Sequence, residues 1–121
     1  MSRANVMIVD DDQDMAESLA ELLALSGCNV TTAANGREAV LTHGKRDFDV
    51  TFMDVRMPVM NGVDSFFEIR KLKPDAKIVM MTGFKESIVT KALEAGAAGL
   101  LNKPFDIAAM LAMVEKAASA R

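Results

Sequence analysis

The chain has 121 residues, of which 50% are hydrophobic and 26% are charged, and this fits one domain of ordinary size with a single core. Lys and Arg number 14 against 17 Asp and Glu, giving a net charge of −3, which is not the basic footprint of a nucleic-acid-binding protein. One cysteine excludes an internal disulfide, and no apolar run approaches the roughly 20 residues of a membrane span, so we expect one soluble, cytoplasmic domain over residues 1–121.

Five short apolar runs, most of which carry β-branched residues, are too short for helices and predict five β-strands. They are Val6–Val9, Val30–Ala34, Val50–Met53, Ile78–Met81 and Gly99–Leu101. The first and fourth runs are almost continuously apolar. Such runs are typical of strands that are covered on both faces in a parallel sheet.

Segments with helical spacing of apolar residues follow each strand. The first helix has apolar residues at i, i+3, i+4 and i+7, namely Ala16, Leu19, Ala20 and Leu23. Gly27 then marks its end. The other predicted helices are Gly36–Gly44, Val63–Leu72, Ser87–Ala95 and Ile107–Ala118. Five alternations of strand and helix with short connections predict an α/β fold, a (βα)5 doubly wound parallel sheet.

The chemistry of such a sheet lies beyond the carboxyl ends of its strands, where the strand order reverses. Four of the predicted strands are followed there by carboxylate, hydroxyl or ammonium groups, on Asp10, Asp11, Asp12, Asp54, Thr82 and Lys103. If the strand order is 2-1-3-4-5, strands one and three are neighbours and their carboxylates share one crevice. Like charges so close repel, so we expect a hard divalent cation there, and few protein ligands favour Mg²⁺ over Ca²⁺.

Each of these residues alone also has a purely structural interpretation. Asp12 is well placed to cap the first helix, Thr82 could belong to a turn, and Lys103 could be a solvated charge. Their coincidence at four strand ends is what favours a functional site.

Five short motifs in this order resemble the receiver domain of bacterial two-component response regulators, over essentially the whole chain. They are Val6–Asp12, Met53–Pro58 with Asn61-Gly62, Met80–Gly83, Ala95–Ala97 and Asn102–Phe105. The resemblance implies a flavodoxin-like sheet in the order 2-1-3-4-5. It also implies a signalling switch and not an enzyme with a turnover substrate. The domain would take a phosphoryl group from a donor and lose it again by autodephosphorylation.

The resemblance further implies which residues carry the chemistry. Asp54 is expected to accept a phosphoryl group from a kinase histidine, as a carboxylate nucleophile in an in-line transfer. Asp11, Asp54 and the backbone carbonyl of Arg56 are expected to ligate Mg²⁺, with Asp10 acting through a metal-bound water.

Two further positions complete the expected site. Lys103 is expected to reach a phosphoryl oxygen, with a cis peptide between Lys103 and Pro104. Thr82 is expected to hydrogen-bond the phosphoryl group and, by moving inward, to shift the face formed by helix four, strand five and helix five. That face is the expected contact for an output domain or a homodimer.

Three positions bear on the behaviour of this particular chain. Leu100 stands in the fifth strand where many receivers have Tyr or Phe, so the aromatic form of the switch is in doubt. Arg56 and Phe84 lie two residues beyond the phosphoacceptor and the threonine, at positions that tune autodephosphorylation in the family. A long cation and a ring there predict a phosphorylated state that outlives that of fast chemotaxis receivers.

The expected partner is a sensor histidine kinase or a phosphotransfer protein, and these residues are not expected to contact nucleic acid or membrane. Met15, Ser18 and Leu22 flank the apolar stripe of the first helix and form a candidate docking surface, although packing against the fifth helix explains them equally well. The strings around Asp54 and Thr82 also resemble receivers of enhancer-binding transcription activators. The output therefore stays open between a stand-alone receiver and the N-terminal receiver of a transcription regulator.

An EF-hand calcium loop is the first alternative. Its ligand positions 1, 3, 5 and 12 would fall on Asp10, Asp12, Asp14 and Glu21. The glycine that the loop needs at position 6 is Met15 here, and the preceding residues predict a strand instead of a helix. Both features argue against calcium binding of this kind.

Two other classes match the first loop less well. Asp10 and Asp12 fit the Asp-x-Asp of haloacid-dehalogenase-type phosphatases, but Asp14 stands where Thr or Val is expected and the chain is short for that fold. A flavin carrier needs a hydroxyl-rich phosphate loop and usually flanking aromatic residues. This loop is acidic, and the chain has no Trp or Tyr.

The single histidine and the single cysteine receive structural interpretations. His43 lies near the end of a short helix, so we expect an exposed side chain and no phosphocarrier role. Cys28, beside the second strand, is expected to be a small, half-buried filler.

Overall fold

The computed structural model describes residues 3–83, 87–104 and 106–120. Within them, strands and helices alternate as β1 (Asn5–Val9), α1 (Gln13–Leu25), β2 (Asn29–Ala33), α2 (Gly36–His43), β3 (Val50–Asp54), α3 (Gly62–Leu72), β4 (Ile78–Thr82), α4 (Ser87–Glu94), β5 (Gly99–Asn102) and α5 (Ile107–Ser119). The strands form one parallel sheet in the order β2-β1-β3-β4-β5. The predicted fold class is therefore confirmed. No helix among the described residues is both long enough and apolar enough to cross a membrane.

Alternating side chains of the sheet divide the core into two layers. Val6 and Ile8 of β1 point to the face that α1 and α5 cover. Met7 and Val9 point to the opposite face, which α2, α3 and α4 cover. Because successive strand residues face opposite sides, an apolar run of this kind is stable only when both faces are covered.

Side-chain caps begin four of the helices. In each, an Asp or Asn side chain accepts a hydrogen bond from a backbone N–H in the first turn, and the caps are Asp12, Asn35, Asn61 and Asp106. A cap of this type contributes about 1 kcal/mol to helix stability. The prediction that Asp12 caps the first helix is confirmed.

The prediction that His43 is exposed is wrong. Its side chain is buried, its Nε2 lies 2.7 Å from the Thr51 hydroxyl, and its ring packs edge-on against Phe48. Burial lowers the pKa of His43 to about 4, and the positive charge of Lys73 adds to this effect. The helical spacing contained the signal, because His43 lies four residues after the buried Ala39, on the same face of α2.

Candidate functional site

The carboxyl edge of the sheet brings three aspartates together. Asp10 follows β1 and Asp54 ends β3, and these two strands are neighbours. One carboxylate oxygen from each of Asp10, Asp11 and Asp54 lies within 4.8 Å of the others. Asp10 and Asp54 are buried, whereas Asp11 is exposed. Oxygen atoms in this arrangement suit a hard divalent cation.

The side chain of Lys103 faces this cluster. Its Nζ lies 3.2 Å from Oδ2 of Asp10 and 3.6 Å from Oδ1 of Asp54. The structure therefore brings Lys103 and the three predicted carboxylates into one site, although Lys103 is far from all of them in sequence.

Hydrogen bonds from the start of α1 hold the acidic loop in place. The backbone N–H of Asp12 donates to Oδ1 of Asp10 at 3.0 Å, and Oδ1 of Asp12 accepts from the N–H of Met15 at 3.1 Å. The Gln13 amide donates to the backbone carbonyl of Asp10 at 3.2 Å. Gln13 is not among the site residues predicted from the sequence, because its type and position give no specific signal.

Burial and crowding determine the charge state of the site. Burial raises the pKa of Asp54 to about 6; the negative charges of Asp10 and Asp11 add to this, and Lys103 opposes it. Burial by itself lowers the pKa of Lys103, but the carboxylates of Asp54 and Asp10 outweigh it and raise the pKa overall. Among the described residues, the ammonium of Lys103 thus faces three carboxylates, which leaves excess negative charge in this cluster.

Thr82 and Lys103 are joined through the backbone. Thr82 is the buried last residue of β4, and its carbonyl accepts a 2.7 Å hydrogen bond from the N–H of Lys103. The Lys103–Pro104 peptide is cis, as expected. Two of the residues singled out in the sequence, Phe84 and Phe105, lie outside the described residues.

The loop 55–61, which includes Arg56, begins directly after Asp54. The N–H of Val55, the first residue of this loop, donates to the Met81 carbonyl at 3.1 Å. The Gly62 N–H donates to the Val55 carbonyl at 2.9 Å. A Cβ at Gly62 would collide with the backbone oxygen of Asp54, so this close approach requires glycine. Together with Asp11, the loop lines a depression of about 450 Å³.

A larger cavity, of about 910 Å³, lies away from the carboxylates and is lined by Cys28 and by residues of α5. It does not bring together a set of chemical groups comparable with the acidic edge. Burial raises the pKa of the Cys28 thiol, so the thiolate form is disfavoured. Cys28 is buried within the core layer that α1 and α5 cover, more deeply than the half-buried position that the sequence predicts.

The fold and this edge define a class: a doubly wound parallel α/β protein with an acidic, lysine-bearing site where the strand order reverses. The chain matches the family model of the response regulator receiver domain over residues 6–115. It therefore belongs to that family, and it is a receiver domain of two-component signal transduction.

Individual relatives agree with this assignment. The chemotaxis protein CheY of Thermotoga maritima is 39% identical over 102 residues, which cover 83% of this chain and 85% of CheY. The DNA-binding transcriptional regulator NtrC of Salmonella typhimurium is 35% identical over 120 residues, which cover 98% of this chain but only 26% of NtrC. A chain in the crystal structure of the CheX–CheY–BeF3–Mg²⁺ complex from Borrelia burgdorferi superposes with a TM-score of 0.87 at 31% identity, covering 95% of this chain and 89% of that one.

Membership of the family fixes the general role of the chain. Receiver domains are signalling switches that interact with histidine kinases or phosphotransfer proteins and with output domains. The acidic cluster of this chain could hold a metal ion.

Proposed function

We propose that Asp54 accepts a phosphoryl group from a histidine of a sensor kinase or phosphotransfer protein, and that the acyl phosphate switches the face formed by α4, β5 and α5. The observation that carries the proposal is the convergence of three carboxylates within 4.8 Å of one another. Lys103, 3.6 Å from the Asp54 carboxylate, adds the positive charge that a phosphoryl oxygen needs.

The donor set fits Mg²⁺. All the candidate ligands are oxygen atoms. In the part of the chain that the structure describes, Lys103 leaves the three carboxylates with excess negative charge that a divalent cation would offset. Asp11, Asp54 and the Arg56 carbonyl would hold the ion directly, and Asp10 would do so through water. When bound, Mg²⁺ supplies positive charge to the transferring oxygens. The Borrelia burgdorferi complex contains Mg²⁺ and BeF3, which supports this proposal.

Asp54 and Lys103 have complementary tasks in the proposed transfer. A carboxylate oxygen of Asp54 forms the new P–O bond as the P–N bond to the donor histidine breaks, which leaves an acyl phosphate and a free imidazole. Lys103 is held between Asp10 and Asp54, so its ammonium already lies beside the Asp54 carboxylate. It then donates to a phosphoryl oxygen of the product.

Thr82 links the phosphoryl group to the output face. We propose that its hydroxyl turns toward the phosphoryl group and that the backbone bond from Lys103 N–H to the Thr82 carbonyl carries this movement into β5. Leu100, in β5, is half-buried and offers no aromatic ring to follow the threonine. The coupling in this chain is therefore proposed to run through the backbone and the adjoining loop.

We propose that α1 presents the docking surface for the histidine-bearing partner. Met15 and Leu22 are 43% and 45% exposed, and Ser18 is exposed between them. Met15 also donates its backbone N–H to Asp12, so this surface begins at the acidic loop. A helix lying along α1 would bring a histidine close to Asp54.

The relatives support two proposals for the output. The match to CheY spans most of that protein, which fits a stand-alone receiver over residues 1–121. The match to NtrC spans about a quarter of that protein, which fits the receiver of a transcription regulator. In both cases the proposed contact is the face formed by α4, β5 and α5.

We also propose that Arg56 slows hydrolysis of the acyl phosphate. Arg56 is exposed and lines the depression next to Asp11, where a long side chain can screen the phosphoryl group from water. Arg56→Asn is expected to shorten the lifetime of the phosphorylated state. A hydrolysis rate no faster than that of the parent contradicts the proposal. Phe84, for which the sequence predicts a similar effect on hydrolysis, lies outside the described residues.

The first experiment is incubation with Mg²⁺ and acetyl phosphate, followed by intact mass measurement. A phosphoryl adduct is expected on the parent chain and on Asp64→Asn, which removes an exposed carboxylate in the first turn of α3. No adduct is expected on Asp54→Asn or when Mg²⁺ is chelated.

The negative outcomes differ in meaning. If Mg²⁺ binds but no adduct forms, Asp54 is not a phosphoacceptor, and the domain signals without phosphate. If neither Mg²⁺ binding nor an adduct is observed, the metal-site argument from the carboxylate cluster is also wrong, and only the family fold remains.

A further inference from the structure

The beginning of α2 and the loop 55–61 meet at Gly36. A Cβ at Gly36 would collide with the carbonyl oxygen of Met60, and it would lie 3.1 Å from the Met60 carbonyl carbon and 3.0 Å from Cβ of Ser65. Gly36 is buried, and its φ angle is not in the left-handed region. Space, and not backbone conformation, therefore requires glycine at this position.

Ser65 fixes the other side of this contact. Ser65 is the fourth residue of α3, its side chain is fully buried, and its hydroxyl donates to the backbone carbonyl of Gly36 at 3.0 Å. This bond joins the first turns of α2 and α3, which lie side by side. The Met60 carbonyl thus rests against a junction that cannot move without breaking a buried hydrogen bond.

The loop itself is tied at its base. The Gly62 N–H donates to the Val55 carbonyl at 2.9 Å, and the Met60 N–H donates to the Pro58 carbonyl at 2.8 Å around Val59. Near the carboxyl end of the loop, the Met60 carbonyl lies against the Gly36 junction. A loop that is closed at its base and packed against α2 at Met60 has restricted freedom, and this loop includes Arg56.

From this geometry we infer that Gly36 and Ser65 are positioning residues, which hold the loop 55–61 so that the Arg56 carbonyl faces the Mg²⁺ site. They act through the Met60 carbonyl and touch neither metal nor phosphate. The inference rests on the proposed function, because it concerns the carbonyl ligand of the proposed metal. Groups that orient metal ligands typically change affinity when they are altered.

Gly36→Ala is the direct test. The added methyl group must displace a backbone carbonyl, so the loop shifts and Mg²⁺ affinity is expected to fall on the order of tenfold. Gly44→Ala is the matched control at the other end of α2, where a Cβ would lie 3.4 Å from the Leu41 carbonyl, an ordinary contact. Mg²⁺ affinity is expected to stay unchanged in that variant.

Ser65→Ala tests the same junction without adding bulk. It removes the hydrogen bond to Gly36, and a smaller loss of Mg²⁺ affinity is expected. Ser26→Ala is its control, because the Ser26 hydroxyl also donates to a backbone carbonyl, that of Leu22, at a distant exposed site. If Gly36→Ala does not fold, the comparison of Ser65→Ala with Ser26→Ala decides whether the junction positions the loop.

Two readouts are measured on each variant: Mg²⁺ affinity by calorimetric titration, and backbone amide chemical shifts without metal. Val114→Ala, in the core on the opposite face of the sheet, serves as a destabilised control for which affinity is expected to be retained. Shifts confined to residues 36 and 55–61 with weakened affinity support the inference. Parent-like shifts and affinity in both Gly36→Ala and Ser65→Ala overturn it.

Failure of the proposed function gives a different result. If the parent chain binds no Mg²⁺, the proposed metal site is wrong, and the amide shifts alone decide whether Gly36 positions the loop. If Gly36→Ala and Gly44→Ala shift the amides of the loop equally, or neither does, the positioning role is also wrong.

Discussion

A polar residue is buried at each end of β3, but its surroundings are neutral at one end and charged at the other. Near the amino end, Thr51 is fully buried and pairs with the buried His43 at 2.7 Å. At the carboxyl end, Asp54 is buried among other carboxylates, with Lys103 3.6 Å away. One end is a neutral hydrogen-bonded pair, and the other is an ionic cluster with excess negative charge.

The same physical effect acts at both ends. Burial disfavours the charged form, so it lowers the pKa of His43 to about 4 and raises the pKa of Asp54 to about 6. At neutral pH the buried His43 is uncharged, as burial favours. Asp54 is ionised at that pH, and burying its charge lowers the free energy of unfolding. The amino end therefore stabilises the fold, and the carboxyl end keeps excess negative charge that a divalent cation can offset.

The largest expected effect is the loss of the pair at the amino end. His43→Ala removes a buried ring and leaves the Thr51 hydroxyl without its partner, so a loss of about 4 kcal/mol of unfolding free energy is expected. Thr51→Val removes only the hydroxyl and is expected to cost about 1 kcal/mol. Urea unfolding of both variants checks this. Equal losses of unfolding free energy would show that packing of the His43 ring does not contribute to stability.

Acid should destabilise the amino end through His43. Its folded pKa of about 4 lies below the ordinary 6.5, so between these pH values the unfolded chain binds a proton that the folded chain does not. Stability is therefore lost as pH falls through this window, by about 3 kcal/mol in total. Lys73 favours the neutral ring and Asp47 opposes it.

The measurement is urea unfolding between pH 7 and pH 4 in an Asp54→Asn background, because the raised pKa of Asp54 contributes with the opposite sign. His43→Gln in that background is expected to flatten the profile. An unchanged profile would assign the acid sensitivity to other groups.

Neutralising the carboxyl end should have the opposite effect on stability. Asp54→Asn removes a buried charge that the metal-free cluster leaves partly uncompensated, so the free energy of unfolding at neutral pH is expected to rise by about 2 kcal/mol. Mg²⁺ at about 100 times its Kd should stabilise the parent by about 2.7 kcal/mol and the variant much less. Thermal unfolding with Mg²⁺ or with chelator measures both, and a destabilised Asp54→Asn variant would contradict the comparison.

The smallest expected effect concerns strain beside the carboxyl end. Val59 has φ of 71° in the loop 55–61, a region that β-branched residues avoid. Val59→Gly is expected to stabilise the fold by about 1 kcal/mol, whereas Val59→Ala keeps a Cβ and should gain less. Chemical denaturation ranks the three chains. A loss in Val59→Gly would show that the side chain contributes more than the strained backbone costs.

The sequence predicts most of the elements and the members of the site because their signals are local. Apolar runs and helical spacing are properties of adjacent residues, and Asp10, Asp54, Thr82 and Lys103 each stand at or directly after a strand end. Parallel strands bring such ends to one edge, so the cluster could be predicted from position alone.

Tertiary structure decided what depends on distant contacts. The spacing from Ala39 places His43 on the inner face of α2, but its burial also depends on Thr51 and Phe48, which lie outside that helix. The Met60 carbonyl rests on Gly36 because the loop after β3 turns back over α2, and that approach has no signature in either segment. Side-chain type and hydrophobic periodicity depend on neighbouring residues. The burial of a side chain and the close approach of two backbone segments arise only when separate elements pack.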